Sequence, residues 1–251
     1  GTLFGRNTPA GIVKFDSVKP GDELSGYGRV SYGRFNALNA QGAVGGPIAG
    51  DAVSARISML YQRQSDYIDN VLPGGTTKNA FEGYDEFAAR LQFLLKPSED
   101  LDILLSGQLR QLDGTARVFR ANVFTRGQKG LNSNFSRYQV STDGQNEQHV
   151  NTYNGSARIT YDAGPVSLVS VTSYWDGDAT SVGDVDGGFG ASFLPPALTG
   201  PGYIPFTAET RDSVPKLKQF TQELRFESNG NGPLSYQGGF FYFDESLRIL
   251  S

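Results

Sequence analysis

The chain has 251 residues, a formal charge of −4 and no cysteine. The charge argues against a general nucleic-acid binder, which needs a basic surface to neutralise phosphates. The missing thiols exclude disulfide frameworks, thiolate zinc sites and cysteine nucleophiles together.

Its 38% hydrophobic content with 32 Gly, 17 Phe and 12 Tyr points to an all-β chain, since glycine serves turns and aromatics fit pleated surfaces. No apolar run is long enough for a spanning helix, which takes about 18 residues. A β-barrel stays open, because its strands need only about 9–11 residues with one apolar face.

In chain order, the stretch "GTLFGRNTPAGIVKF" (Gly1 to Phe15) reads as a glycine-punctuated turn leading into a short strand. Strands are then expected at roughly 24–35, 38–47, 51–65, 84–96, 101–113, 150–162, 165–177, 217–229 and 234–247. Their signal is period two. Val53, Ala55, Ile57, Met59 and Tyr61 share one face against Ser54, Arg56, Ser58 and Leu60. Phe87, Ala89, Leu91, Phe93 and Leu95 likewise oppose Ala88, Arg90, Gln92 and Leu94. Leu101, Ile103, Leu105 and Leu109 oppose Asp102, Ser106, Gln108 and Arg110. The pattern returns in "YNGSARITY" (Tyr153 to Tyr161) and "FTQELRF" (Phe220 to Phe226). Long strands with one polar and one apolar face fit a wide antiparallel barrel.

The connections alternate. Tight turns rich in Gly, Pro, Asn and Asp are expected at Gly45 to Asp51, Lys96 to Asp100, Asp162 to Pro165 and Asn229 to Pro233. Long loops are expected at about 66–83, 114–149 and 178–216. Such asymmetry is that of outer-membrane barrels, with short periplasmic turns and long extracellular loops. Aromatics gather near strand ends (Tyr61, Tyr67, Phe81, Tyr84, Tyr153, Tyr161, Tyr174, Trp175, Phe220, Tyr242 and Phe243) and read as an interfacial girdle.

Enzyme signatures fail. "GTLFG" lacks the spacing and the Lys-Ser/Thr of a phosphate loop. The single histidine, His149, falls at a loop end with no nucleophile placed beside it by motif, and reads as solvated. Asp176, Asp178, Asp184 and Asp186 form an acidic Gly-rich stretch that could hold Ca²⁺, but the spacing is not that of an EF-hand and a solvated loop is the better reading. Asn134 and Asn154 head glycosylation sequons, which carry no meaning in a bacterial barrel. No metal or cofactor is expected. An inward row of Arg56, Arg90, Arg110, Arg158 and Arg225, with Gln92, Gln108 and Glu223, would line a lumen.

With these features in place, "GTLFGRNTPAGIVKFDSVKP" resembles the end of the plug domain of TonB-dependent outer-membrane receptors, through Gly1, Leu3, Phe4, Gly5, Ala10, Gly11, Ile12 and Val13. "LSGYGRVSYGRFN" (Leu24 to Asn36) resembles that family's first barrel strand and "GGPI" (Gly45 to Ile48) its first periplasmic turn. "FTQELRFES" (Phe220 to Ser228) and "GGFFYFDE" (Gly238 to Glu245) are similar to recurring barrel strands.

The resemblance implies a partial antiparallel transmembrane β-barrel, about nine strands of a barrel of about 22. Residues 1–20 would be the C-terminal end of the plug and 21–251 the first part of the barrel. The chain then reads as a fragment, without a signal sequence, a TonB box, most of the plug or the last strands. The implied function is energy-coupled uptake of a scarce ligand (ferric siderophore, haem, cobalamin or glycan) across the outer membrane. The partners would be outer-membrane lipid and the TonB complex. Arg6, Asn7, Arg56, Arg90, Arg110 and Arg158 are the candidate lumen-facing ligand residues. Arg6 is expected to pair with Glu223 across the plug–barrel boundary, since a buried charge needs a partner. A passive porin and a soluble all-β binding module are the rival readings.

Overall fold

The computed structural model describes residues 16–72, 74–120, 123–125, 127–133, 135–185, 208–229 and 234–251. The expectations for Gly1 to Phe15, including Arg6, Asn7 and the Arg6–Glu223 pair, lie outside the described residues, as does Asp186.

Twelve strands are described: β1 (Ser25–Tyr32), β2 (Leu38–Ala49), β3 (Val53–Gln64), β4 (Ile68–Leu72), β5 (Gly75–Phe81), β6 (Tyr84–Ser98), β7 (Leu101–Gly114), β8 (Gln139–Val140), β9 (Glu147–Asp162), β10 (Val166–Asp184), β11 (Glu209–Ser228) and β12 (Gln237–Leu250). Nine of them form one antiparallel sheet in the order β1-β2-β3-β6-β7-β9-β10-β11-β12. Each is one of the nine strands expected from period two, and each pairs with its neighbour in sequence once β4, β5 and β8 are set aside. Those three form a separate small sheet in the order β5-β4-β8.

The register fixes the two faces. One row across the large sheet runs Arg56, Gln92, Ser106, Ser156, Ser173, Thr221. The next row, on the opposite face, runs Ile57, Leu91, Gly107, Gly155, Tyr174, Phe220. Because side chains alternate, the first face carries all the arginines of the expected inward row and the second carries the apolar positions.

Exposure is inverted relative to a sheet that buries its apolar side. On the polar face Arg56 is 7% and Gln92 4% exposed, while on the apolar face Leu91 is 43%, Leu224 51% and Phe240 62% exposed. The segment ahead of β1 lies against the polar face. Arg90 donates to the Ser17 hydroxyl, and Lys96 pairs with Asp22 at 3.0 Å.

Three expectations are corrected. Gly45 to Ile48 is not a turn: β2 continues through it to Ala49, pairing Gly45 with Arg56 and Pro47 with Ser54, and a bulge after Pro47 absorbs the proline. The Asp176–Asp184 stretch is not a loop. β10 runs to Asp184 because β9 and β11 flank it on both sides and satisfy its backbone, which outweighs the turn-like composition. A bulge at Gly177/Ala179 marks the place, and a Cβ on Gly177 would fall 2.9 Å from the Asn151 carbonyl oxygen. The long loops are not structureless either, since 66–83 and 114–149 supply the small sheet.

The expected aromatic girdle divides by register. Tyr61, Tyr153, Tyr161, Tyr174, Phe220 and Tyr242 stand on the apolar face. Tyr84, Trp175 and Phe243 stand on the polar face, and Tyr67 and Phe81 belong to the small sheet's core.

Candidate functional site at the loop-bearing end

The connections 33–37, 65–83 and 115–146 all leave the same end of the large sheet, where β10 also ends and β11 begins, and 50–52, 99–100 and 163–165 leave the other. At the first end the small sheet builds a layer with its own core of Ile68, Val118 and Val140, flanked by Tyr67 and Phe81. β4 and β5 make a hairpin, and β8 adds in parallel through Asp69 and Asn70. Asn70 clamps the addition: its Nδ2 donates to the Thr142 carbonyl at 2.7 Å and its Oδ1 accepts from the Thr142 amide at 2.9 Å. Asp69 closes the hairpin by accepting from Lys78 at 2.6 Å and from the Asn79 amide at 3.1 Å. Those two donors hold its carboxyl below the usual carboxylate range, the Lys78 bond first.

Three connections meet in an aromatic cluster. Phe35 stacks on Tyr67 at 4.2 Å between ring centres, and Tyr138 meets both edge-on. The Arg34 guanidinium lies 4.6 Å from the Phe35 ring centre and donates to the Tyr138 hydroxyl at 3.0 Å. The short 3-10 turn Arg34–Asn36 that presents Phe35 is strained, with φ of 62° at Phe35 and 54° at Asn36. Asn36 offsets this by accepting from Tyr32 at 2.7 Å and donating to Ser65 at 3.2 Å.

Beneath this layer, on the polar face, lies a cavity of about 450 Å³ lined by Gln62, Gln64, Glu82, Tyr84, Glu86, Arg117 and Gln148 among others. A second, of about 620 Å³, shares Gln64, Gly83, Tyr84 and Thr115 with it and is bounded by Arg63, Asp66, Asp85 and Asp113. Gly83 lines both. A Cβ there would sit 2.6 Å from the Asp66 amide nitrogen, so only glycine lets the 65–83 connection fold back onto β6.

The candidate ligand residues do not form one site. Arg90 and Arg110 both line a cavity of about 380 Å³ with Tyr27, Gln41 and Trp175. Arg90 is bound to Gln108 at 2.6 and 3.0 Å, and Arg110 to Glu86 at 2.6 Å. Arg56, Arg158 and Arg225 lie on the same face outside that cavity. Glu223 accepts from Arg225 at 3.0 Å.

The loop-end cavities were missed in the sequence. Gln62 and Gln64 continue the inward alternation of Arg56 and Ser58, and Gln148 that of Ser156 and Arg158 ahead of the expected start of β9, but Glu82 and Arg117 reach the cavity only through the tertiary fold.

The acidic stretch is dispersed along β10. Asp176 pairs with Lys218 at 3.1 Å, Asp178 lies 3.8 Å from His149, and Asp184 is 1% exposed beside the Asp143 amide. Burial, then the charge of Asp184, pushes the Asp143 carboxyl up. Among the described residues no group of three acids or histidines is placed to hold a metal. His149 is a strand residue of β9 rather than a loop residue, and its side chain is 44% exposed, as a solvated histidine's would be. Its Nδ1 meets Asp113 and its Nε2 meets Asn151 at 2.7 Å.

No family model and no curated protein matches the chain in sequence. Among solved structures it is similar to the crystal structure of the ferric yersiniabactin uptake receptor FyuA from Yersinia pestis, with a TM-score of 0.62 and 11% identity over 90% of this chain. The match covers 31% of that receptor, so the chain spans about a third of its length. At that identity the likeness is one of fold: a nine-stranded antiparallel wall similar to part of a β-barrel receptor.

Proposed function

We propose that the chain is the first stretch of barrel wall in a TonB-dependent outer-membrane receptor, with residues 1–20 closing a plug domain and 21–251 forming the wall. The observation that carries this reading is the inverted sheet, with Leu91, Leu224 and Phe240 exposed on one face and Arg56 and Gln92 buried on the other. Exposed apolar side chains over so wide a face are a liability in water and a requirement in lipid. In this reading the connections around the small sheet are extracellular and the short turns periplasmic. The protein's work is energy-coupled uptake of a small scarce ligand rather than catalysis. The fold similarity to a ferric siderophore receptor supports the receptor part of the reading and makes a ferric siderophore one candidate ligand.

Fractionating cells that produce the protein tests the placement. It is expected in the outer-membrane fraction, to need detergent for extraction, and to migrate differently on gels before and after heating. A protein that stays soluble and monomeric in plain buffer overturns the reading.

A further inference from the structure

We propose that the cavity beneath the loop sheet is a subsite for a neutral saccharide, an inference that rests on the receptor reading and names the chemistry of its ligand. The cavity's charges are already spent. Glu82 holds Arg117 at 2.7 Å, and Glu86 holds Arg110 at 2.6 Å. Among the described residues that line this cavity no unpaired cation is left to attract an anionic chelate, and no set of acids among the described residues is placed to bind a metal directly.

What is left open is neutral. The side chains of Gln62, Tyr84 and Gln148 line the cavity with no partner among the described residues. Gln64 spends one amide hydrogen on the Glu82 carbonyl at 3.2 Å, which leaves its own carbonyl oxygen to accept. Amides and phenols both donate and accept, as sugar hydroxyls do, so the two sets can satisfy each other. The Tyr84 ring adds an apolar surface for a C–H face of a sugar ring. The volume of about 450 Å³ suits a small ligand.

The rim is held in advance. Glu82 sits at a φ of 74°, a left-handed conformation that a non-glycine residue keeps only when its surroundings hold it. Here the Arg117 bond and the Val118 amide do so. A polar cavity whose walls are fixed before binding loses less ordering entropy when a ligand enters.

The test is binding of neutral trisaccharides to the detergent-purified protein, followed by saturation-transfer NMR and titration calorimetry. The probes are maltotriose, cellotriose, xylotriose and mannotriose, with a ferric tris-catecholate as the anionic comparator. At least one trisaccharide is expected to bind. The Gln62→Ala, Gln148→Ala double variant should weaken it at least about tenfold, the scale expected for two lost side-chain partners. Tyr84→Phe should weaken it a few-fold. Gln148→Glu, which keeps the side-chain shape, replaces the alanine change if circular dichroism shows lost strand content. Because the ligand is uncharged, raising the salt from about 0.05 to 0.5 M should leave its affinity nearly unchanged.

Binding of no trisaccharide, binding untouched by these variants, or binding of the catecholate through these same residues overturns the proposal. A protein found in the outer membrane that binds no saccharide ends this proposal and leaves the receptor reading standing. A soluble protein that binds one through these residues ends only the receptor reading.

Discussion

Two carboxylates in the loop layer carry opposite pH dependence. Asp143 is raised by burial and then by Asp184, from an ordinary value of 3.8. Its ionisation therefore costs the folded loop nothing below that ordinary value. The cost accrues as pH climbs to the folded value and is complete above it. Asp69 is lowered by Lys78 and the Asn79 amide, so its contribution is complete above 3.8 and is lost as pH falls through the folded value. Asp143→Asn is thus expected to slow amide exchange across 140–146 at neutral pH by a few-fold, with the gain vanishing near pH 3. The protection of the Asn79 amide should instead fall on acidification. Exchange measured by mass spectrometry at several pH values checks both, and equal pH trends in the two segments would refute the assignment. Neither residue was legible in the sequence. Asp143 meets Asp184 across 41 positions, and Asp69 looked like any polar loop residue before the hairpin formed.

At the scale of elements, legibility follows the reach of the contacts. The nine large strands could be read because alternation is local: Val53 to Tyr61 states its two faces without knowing its partners. The far ends of β10 and β11 could not, since 178–184 and 209–216 fall in the expected long loop and become strand only through pairing with each other and with β9. The small sheet was hidden for the same reason. β8 is two residues long and joins β4 across 70 positions, pairing Asp69 with Gln139. Ile68 is the most buried of the three residues at that sheet's core, at 1% exposure. Ile68→Ala should cost about 2–5 kcal/mol of local stability. Because the loop layer has a core of its own, the loss should open it to protease between 66 and 146 while the nine-stranded sheet keeps its strand signal. Limited proteolysis beside circular dichroism distinguishes this from global unfolding, which would show both changes at once.

For the whole molecule, the decisive property is which face meets what. The sequence predicted both faces correctly as a pattern, and register now places Leu91 beside Gly107 on the apolar face and Ser156 beside Ser106 on the polar one. Alternation alone cannot say which face is turned to solvent, because a soluble sheet with a covered apolar side shows the same pattern. The two environments do separate under substitution. If the apolar face lies in lipid, a charge near the middle of that band costs about 2–4 kcal/mol, while the same charge on the lumen side is tolerated. Leu91→Arg should therefore lower the folded fraction recovered in lipid vesicles several-fold or more. Ser156→Arg, two strands away and on the other face, should leave it close to the parent. In plain detergent, which adapts to the surface it covers, the gap between the variants should shrink. Equal recovery of the two variants in vesicles would mean that the apolar face is not turned to lipid. Its exposed leucines and aromatics would then have to be covered by protein.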